Sequence, residues 1–159
     1  MELIYNPELA KKADRIGENI ATTGYYTGHF ENVYARITDG GAVMFGFLFK
    51  SDDELKSAFE ICTHAKDGNP TFGLDMLHAG MACLKVRNAK PTNGTRKTFI
   101  SGAETTIQCE VYPDFCQKPI GLILQRVEYE KQDGSGVGYK MEQKHFIDPS
   151  TKQTGGEVS

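Results

Sequence analysis

Pro119-Ile-Gly-Leu-Ile-Leu-Gln-Arg-Val-Glu-Tyr-Glu-Lys131, then Gln132-Asp-Gly-Ser-Gly-Val-Gly138, then Tyr139-Lys-Met-Glu-Gln-Lys-His-Phe-Ile-Asp148, is the stretch that decides the fold. Two extended runs meet at a glycine-rich connection, the signature of a β-hairpin whose loop exceeds the two-residue minimum. Ile120, Leu122 and Leu124 share one parity and anchor the first run in a core. Its far end carries Arg126, Tyr129 and Lys131, and the returning run begins Tyr139, Lys140. Cations and phenol rings around a solvent-facing loop suit a flexible anionic chain with exposed bases, since ammonium and guanidinium groups hold phosphates while rings stack on bases.

Working outward, Asn6-Pro7 is a helix start with an N-cap side chain and a first-turn proline, followed by helix formers from Glu8 to Asp14. Gly17 and Thr22-Thr23-Gly24 end it, and a strand runs from Tyr25 to about Thr38, with Gly28 allowing a bend or bulge. After the Asp39-Gly40-Gly41 turn, Ala42 to Lys50 alternates, with Phe45, Phe47 and Phe49 on one parity and Met44, Gly46 and Leu48 on the other. A polar turn at Ser51 to Glu54 leads to a third strand, Leu55 to His64. The period then changes: Phe72, Leu74, Leu77, Met81 and Leu84 predict one amphipathic helix over Phe72 to Leu84. Lys90 to Gly102, polar and without apolar periodicity, reads as a loop or irregular edge carrying Arg96 and Lys97. Alternation resumes from Glu104 to Tyr112, and Pro113-Asp114 breaks it before the long hairpin. Residues 149–159 read as a flexible carboxyl-terminal tail after one domain over residues 1–148.

The chain has 159 residues, enough to bury a core without metals or disulfides, and a net charge of -3 that argues against a surface attracting nucleic acid everywhere. A local basic groove remains compatible with that balance. Cys62, Cys83, Cys109 and Cys116 show no Cys-x-x-Cys pair and no zinc-finger spacing, so they read as reduced, mostly buried thiols, with no metal and no cofactor expected. No apolar run is long enough to span a bilayer, and the amino terminus lacks a secretion signal, so the expectation is a soluble intracellular protein with no membrane partner. Three strands, one helix and two or three further strands predict an all-β class, a β-barrel with one packed α-helix. The arrangement fits the OB-fold, a five-stranded Greek-key barrel, with a short amino-terminal helix. Its ligand loops would be Thr38 to Ala42 and Gln132 to Gly138.

Several segments, in order along nearly the whole chain, carry a resemblance: Asn6-Pro-Glu8, Thr23-Gly-Tyr-Tyr-Thr-Gly28, Phe49-Lys-Ser-Asp-Asp53, Lys66-Asp-Gly68, Lys118 to Lys131, and Phe146-Ile-Asp-Pro-Ser-Thr-Lys-Gln-Thr154. Their succession resembles the small OB-fold single-stranded DNA-binding proteins encoded by bacteriophages. The resemblance implies preference for single strands, little sequence selectivity, a role in phage DNA replication or recombination, phage or host replication and recombination enzymes as partners, and the cytoplasm of a bacterial host. Such proteins often end in an acidic tail with a terminal hydrophobic residue, whereas this sequence ends Gly-Gly-Glu-Val-Ser.

Three function classes compete. For a single-strand binder, the candidate nucleic-acid-binding residues are Tyr26, Tyr34, Arg36, Phe47, Lys50, Arg126, Tyr129, Lys131, Tyr139 and Lys140, with Lys85, Arg87, Arg96 and Lys97 as phosphate contacts. For an enzyme, most naturally a nuclease, carboxylates must gather around magnesium. The acids do not oblige: Glu128-Tyr129-Glu130-Lys131 lacks the Glu-x-Lys spacing, and His29, His64, His78 and His145 are scattered, so no catalytic residue is assigned. For an interaction module without nucleic-acid affinity, Phe45, Phe47 and Phe49 facing outward would form an apolar patch, and strand-edge pairing would give a homodimer.

Overall fold

The structure, a computed structural model, describes residues 1–10 and 18–158. Its elements are β1 (Gly24–Ile37), β2 (Val43–Ser51), β3 (Lys56–His64), α1 (Phe72–Leu84), β4 (Thr92–Ile100), β5 (Ala103–Val111), a 3-10 turn (Pro113–Phe115), β6 (Ile120–Glu130), β7 (Val137–Asp148), β8 (Gln153–Thr154) and α2 (Gly155–Val158). At the amino terminus the Asn6 side chain accepts the N–H of Glu8 at 2.9 Å, the expected cap. Residues 7–10 are helical; the rest of the span expected to be helical, and Gly17, lie outside the described residues.

The named strands pair antiparallel in one sheet ordered β3-β2-β1-β6-β7-β8, and an isolated parallel bridge joins Asn19 to Lys56. The strand β1, 14 residues long, organises it. One edge pairs β2 from Gly28↔Ser51 to Ile37↔Val43. The other pairs first β6, from Gly24↔Leu124 to Gly28↔Ile120, and then β5, through Tyr34↔Val111 and Ala35↔Glu110. Gly28 thus sits between two strands, and a Cβ there would lie 2.1 Å from the Lys50 carbonyl oxygen. A bulge between Phe30 and Asn32 shifts the parity, so that Phe30 and Val33 both turn into the core.

That core is aromatic. Phe47 stacks on Phe59 with centroids 5.0 Å apart and meets Phe30 at 5.1 Å. Phe146 of β7 approaches Phe59 of β3 at 6.4 Å, so these two strands, far apart in the sheet order, come together through their side chains. Helix α1 packs against β3 and β7, burying Leu77, Gly80, Cys83 and Leu84. Phe72 at its start remains exposed, contrary to the apolar stripe expected of it.

The all-β class and the single amphipathic helix agree with the sequence pattern. Four expectations are corrected. The sheet holds eight strands, not five. The segment from Lys90 to Gly102 is no loop: β4 and β5 form a hairpin closed at Ser101-Gly102, both with positive φ. Its polar residues carried no alternation because a two-stranded ribbon largely open to solvent needs none. Of the expected flexible tail, residues 149–158 are described, and they are not free: the chain folds back as β8 on β7, and α2 packs on α1 with Gly155 against Ala79. Finally, Phe47 and Phe49 are buried and Phe45 packs on Tyr112 at 5.3 Å, so these rings form no outward patch.

Candidate nucleic-acid interface

With the Phe47 parity inside, the opposite parity of β2 faces outward, and the register aligns rows across three strands. Asn32, Leu48 and Ala58 form one row, Tyr34, Gly46 and Glu60 the next, Arg36, Met44 and Cys62 a third. Gly46 is decisive: a Cβ there would stand 2.0 Å from the Tyr34 Cζ, so the missing side chain is what lets the phenol ring lie against the sheet. The Tyr34 hydroxyl donates to Glu60 Oε2 at 3.0 Å. Arg36 donates both Nε, at 2.6 Å, and Nη2, at 2.7 Å, to the same carboxylate.

The β4–β5 ribbon adds a wall beside these rows. Asn32 Nδ2 donates to the Thr95 carbonyl at 3.1 Å, and the Arg96 guanidinium lies over the Tyr34 ring with Cζ 5.4 Å from its centroid. Two open clefts flank Arg96. One, of about 520 Å³, is lined by Asn32, Leu48, Lys56, Ala58, Thr95 and Lys97 among others. The second, of about 500 Å³, takes in Arg36, Phe45, Gln108, Glu110 and Tyr112. The electrostatics follow the contacts. The Arg36 fork, aided by the Tyr34 hydroxyl, holds the Glu60 carboxyl below its ordinary range. Burial, then the Glu60 charge, push the Tyr34 phenol up to about 12. The arrangement therefore holds the Tyr34 ring between Gly46 and the Arg96 guanidinium, with the Arg36 guanidinium bound to the carboxylate that its hydroxyl meets.

A second aromatic group lies on the hairpin β6–β7, which runs past the amino-terminal end of β1, since Gly24 pairs Leu124 and Arg126 lies beyond it. The Arg126 guanidinium covers the Tyr139 ring at 4.0 Å and donates to the Ala21 carbonyl at 2.8 Å. Tyr129 lies on Gly138, its ladder partner, with 48% of its surface exposed. Because Arg126 pairs Met141 while Glu128 pairs Tyr139, strand alternation puts Arg126 and Tyr139 on one face, Tyr129 and Lys140 on the other. The loop tip carries Asp133, which accepts from the Ser135 N–H, and Lys131 stands exposed at its base.

The structure thus brings Tyr34, Arg36 and Arg96 to one place, leaves Lys97 at the rim of one adjoining cleft with its ammonium 3.8 Å from Glu104, and divides Arg126 and Tyr139 from Tyr129 and Lys140. The other candidates stand elsewhere. Phe47 is 1% exposed, a core ring with no face to stack on, which corrects its assignment. Tyr26 turns inward, packs against the core and donates its hydroxyl to the Thr22 carbonyl at 2.7 Å; its neighbour Tyr25 is the exposed ring of the pair. Lys50 pairs with Glu54 at 2.7 Å beside β3. Lys85 caps α1 in a left-handed conformation and binds the buried Asp148 carboxylate at 2.9 Å, and Arg87 lines a cleft with His78 and Val158. Sequence reasoning missed Lys56, Leu48 and Glu60. Their signal is parity: Lys56, Ala58 and Glu60 alternate against the buried Ile61 and Thr63, and so share the side of Tyr34.

Among the described residues no three His, Cys, Asp or Glu side chains stand together in a way that would hold a metal ion, and no helix is long and apolar enough to cross a membrane. Compared with models of known protein families the chain matches none, and no curated protein matches it.

Proposed function

We propose that this chain binds single-stranded DNA without sequence specificity, stacking bases on tyrosine rings and pairing phosphates with neighbouring cations, and that it performs no chemistry. The observation that carries the reading is Tyr34 laid on Gly46 between the Arg36 and Arg96 side chains, beside clefts that also present Lys56 and Lys97. Stacking accepts every base because every base has a π-face, and each stacked base contributes about 1–3 kcal/mol. The exposed rings of Tyr25, Tyr129 and Tyr139 extend the same chemistry towards the far hairpin.

Fold and resemblance support this reading together. We read β1, β2, β3, β6 and β7, with α1 between β3 and β6, as the five strands of an OB barrel, a reading supported by their pairing order and by the contact of Phe59 on β3 with Phe146 on β7. On that reading β4–β5 is an insertion before the fourth barrel strand, walling the face such barrels use for ligands. From the resemblance to phage single-stranded DNA-binding proteins we take the activity to serve replication or recombination inside an infected bacterium, alongside phage or host enzymes. A test is fluorescence anisotropy of labelled oligothymidine against a duplex of equal length across a salt series. Tight, length-dependent binding to the single strand that weakens with salt is the expected result, and equal, feeble binding to both ends the proposal.

One observation favours a second reading, self-association. Phe99, 74% exposed, and Ile100 stand at the tip of the β4–β5 ribbon, and β4 is paired along β5 alone. Sedimentation of the native chain and of Phe99→Ser decides it: a dimer that the substitution dissociates establishes a homodimer through this ribbon.

A further inference from the structure

The Tyr34 cluster already holds an anion, and it is the protein's own. Glu60 presents two oxygens to the Arg36 fork at 2.6 and 2.7 Å, accepts the Tyr34 hydroxyl at 3.0 Å, and lies within the field of Arg96. A planar guanidinium binds a carboxylate and a phosphate by the same pair of parallel N–H donors, so a phosphodiester with two non-bridging oxygens and one negative charge fits the same donors. From the single-strand reading above, on which it rests, we infer that Glu60 is a phosphate surrogate: its carboxylate fills the anion position in the free protein, and nucleic-acid phosphate enters by displacing it.

The surroundings favour exchange over a permanent lock. The Arg36 and Glu60 side chains are 30% and 29% exposed, so Glu60 can turn its carboxylate into water without crossing an apolar layer. Opening the pair gives up a bidentate contact, but a phosphate entering the same fork restores a charge-assisted contact of the same kind, so the net cost of exchange is small. Arg36 alone forks the carboxylate, Arg96 acts on it only through its charge, and the Arg96 Nε, shielded from solvent, has no hydrogen-bond partner. An arriving phosphate therefore finds a second guanidinium beside the fork with a donor still unused. A surrogate of this sort restrains binding: it keeps the cations oriented while lowering net affinity, so that a strand is released as readily as it is gripped.

The experiment compares the native chain with Glu60→Gln and Glu60→Thr, each checked by thermal melting, using labelled oligothymidine over a salt series. Gln keeps the size and the acceptor for Tyr34, and Thr suits the strand if Gln disturbs it. The expected result is binding roughly tenfold tighter at low salt, with a slope of log K against log salt steeper by about one phosphate. Native-like or weaker binding by folded variants overturns the inference and makes Glu60 a positioning residue for Arg36. If the native chain and both variants fail to bind oligothymidine, the single-strand reading itself fails and the surrogate falls with it.

Discussion

Tyr34 lies against Gly46, its direct partner across the β1–β2 ladder, so closely that a Cβ at position 46 would stand 2.0 Å from the ring Cζ. Gly46→Ala must therefore lift the ring off the sheet. The expected outcome is a folded protein destabilised by about 1–3 kcal/mol, as for other overpacked sites, with oligothymidine affinity reduced by the worth of about one stacked base. Melting and anisotropy measured on the same preparation check both, and unchanged affinity would remove Tyr34 from the interface.

Phe47→Ala separates packing from binding. A buried ring touching Phe30, Phe59 and Phe146 leaves a cavity when removed, and the expected cost is about 3–5 kcal/mol in chemical denaturation. Binding per folded molecule should stay at the native level, because no face of that ring reaches solvent.

On the far hairpin, faces predict couplings. Arg126 and Tyr139 touch at 4.0 Å, whereas Arg126 and Tyr129 project from opposite sides of the ribbon. A double-mutant cycle on stability should give about 0.5–1 kcal/mol of coupling for Arg126→Ala with Tyr139→Ala, and close to none for Arg126→Ala with Tyr129→Ala.

Acid should loosen the carboxyl-terminal strap first. The Lys85 ammonium, followed by the Ser150 hydroxyl and N–H, holds the Asp148 carboxyl at about 2, below the ordinary 3.8. A depressed folded pKa means that the carboxylate stabilises the fold fully above the ordinary value and ceases to as pH falls from about 4 towards 2. Asp148→Asn should cost about 1.5–3 kcal/mol at neutral pH and flatten the pH dependence of melting across that window. A native-like acid profile in the variant would assign the acid sensitivity to other groups.

The strap also depends on a single close approach. A Cβ at Gly155 would lie 2.5 Å from Ala79 backbone atoms, so Gly155→Val should push α2 away from α1. Hydrogen exchange at residues 153–158 is expected to accelerate while the β1–β2 ladder stays protected.

The strands were legible wherever one face is buried. Ile120, Leu122 and Leu124 are all fully buried as their parity demands, and α1 spans Phe72–Leu84, where the period changes. Strand β5 was legible from the alternation over Glu104 to Tyr112, but its partner β4 was not, because that polar edge strand, mostly open to solvent, carries no apolar alternation. The tail was not legible because its attachment rests on a two-residue ladder to β7, the distant Lys85–Asp148 pair and the approach of Gly155 to Ala79, none of which shows as apolar periodicity.

For the site, composition supplied the residue types and alternation supplied the two sides of each strand. Local period and side-chain chemistry are enough to specify a β-rich chain with one amphipathic helix, a long cation-bearing hairpin and tyrosines set among arginines. Long-range packing sets which tyrosines turn outward, buries Phe47 in the core, brings Arg96 to Tyr34 from a separate ribbon and seats Glu60 in the Arg36 fork. Those relations join residues 24 to 62 positions apart, and they depend on a bulge at Glu31 and on strand register, which are fixed by how the sheet closes over its aromatic core and not by any neighbouring stretch of chain.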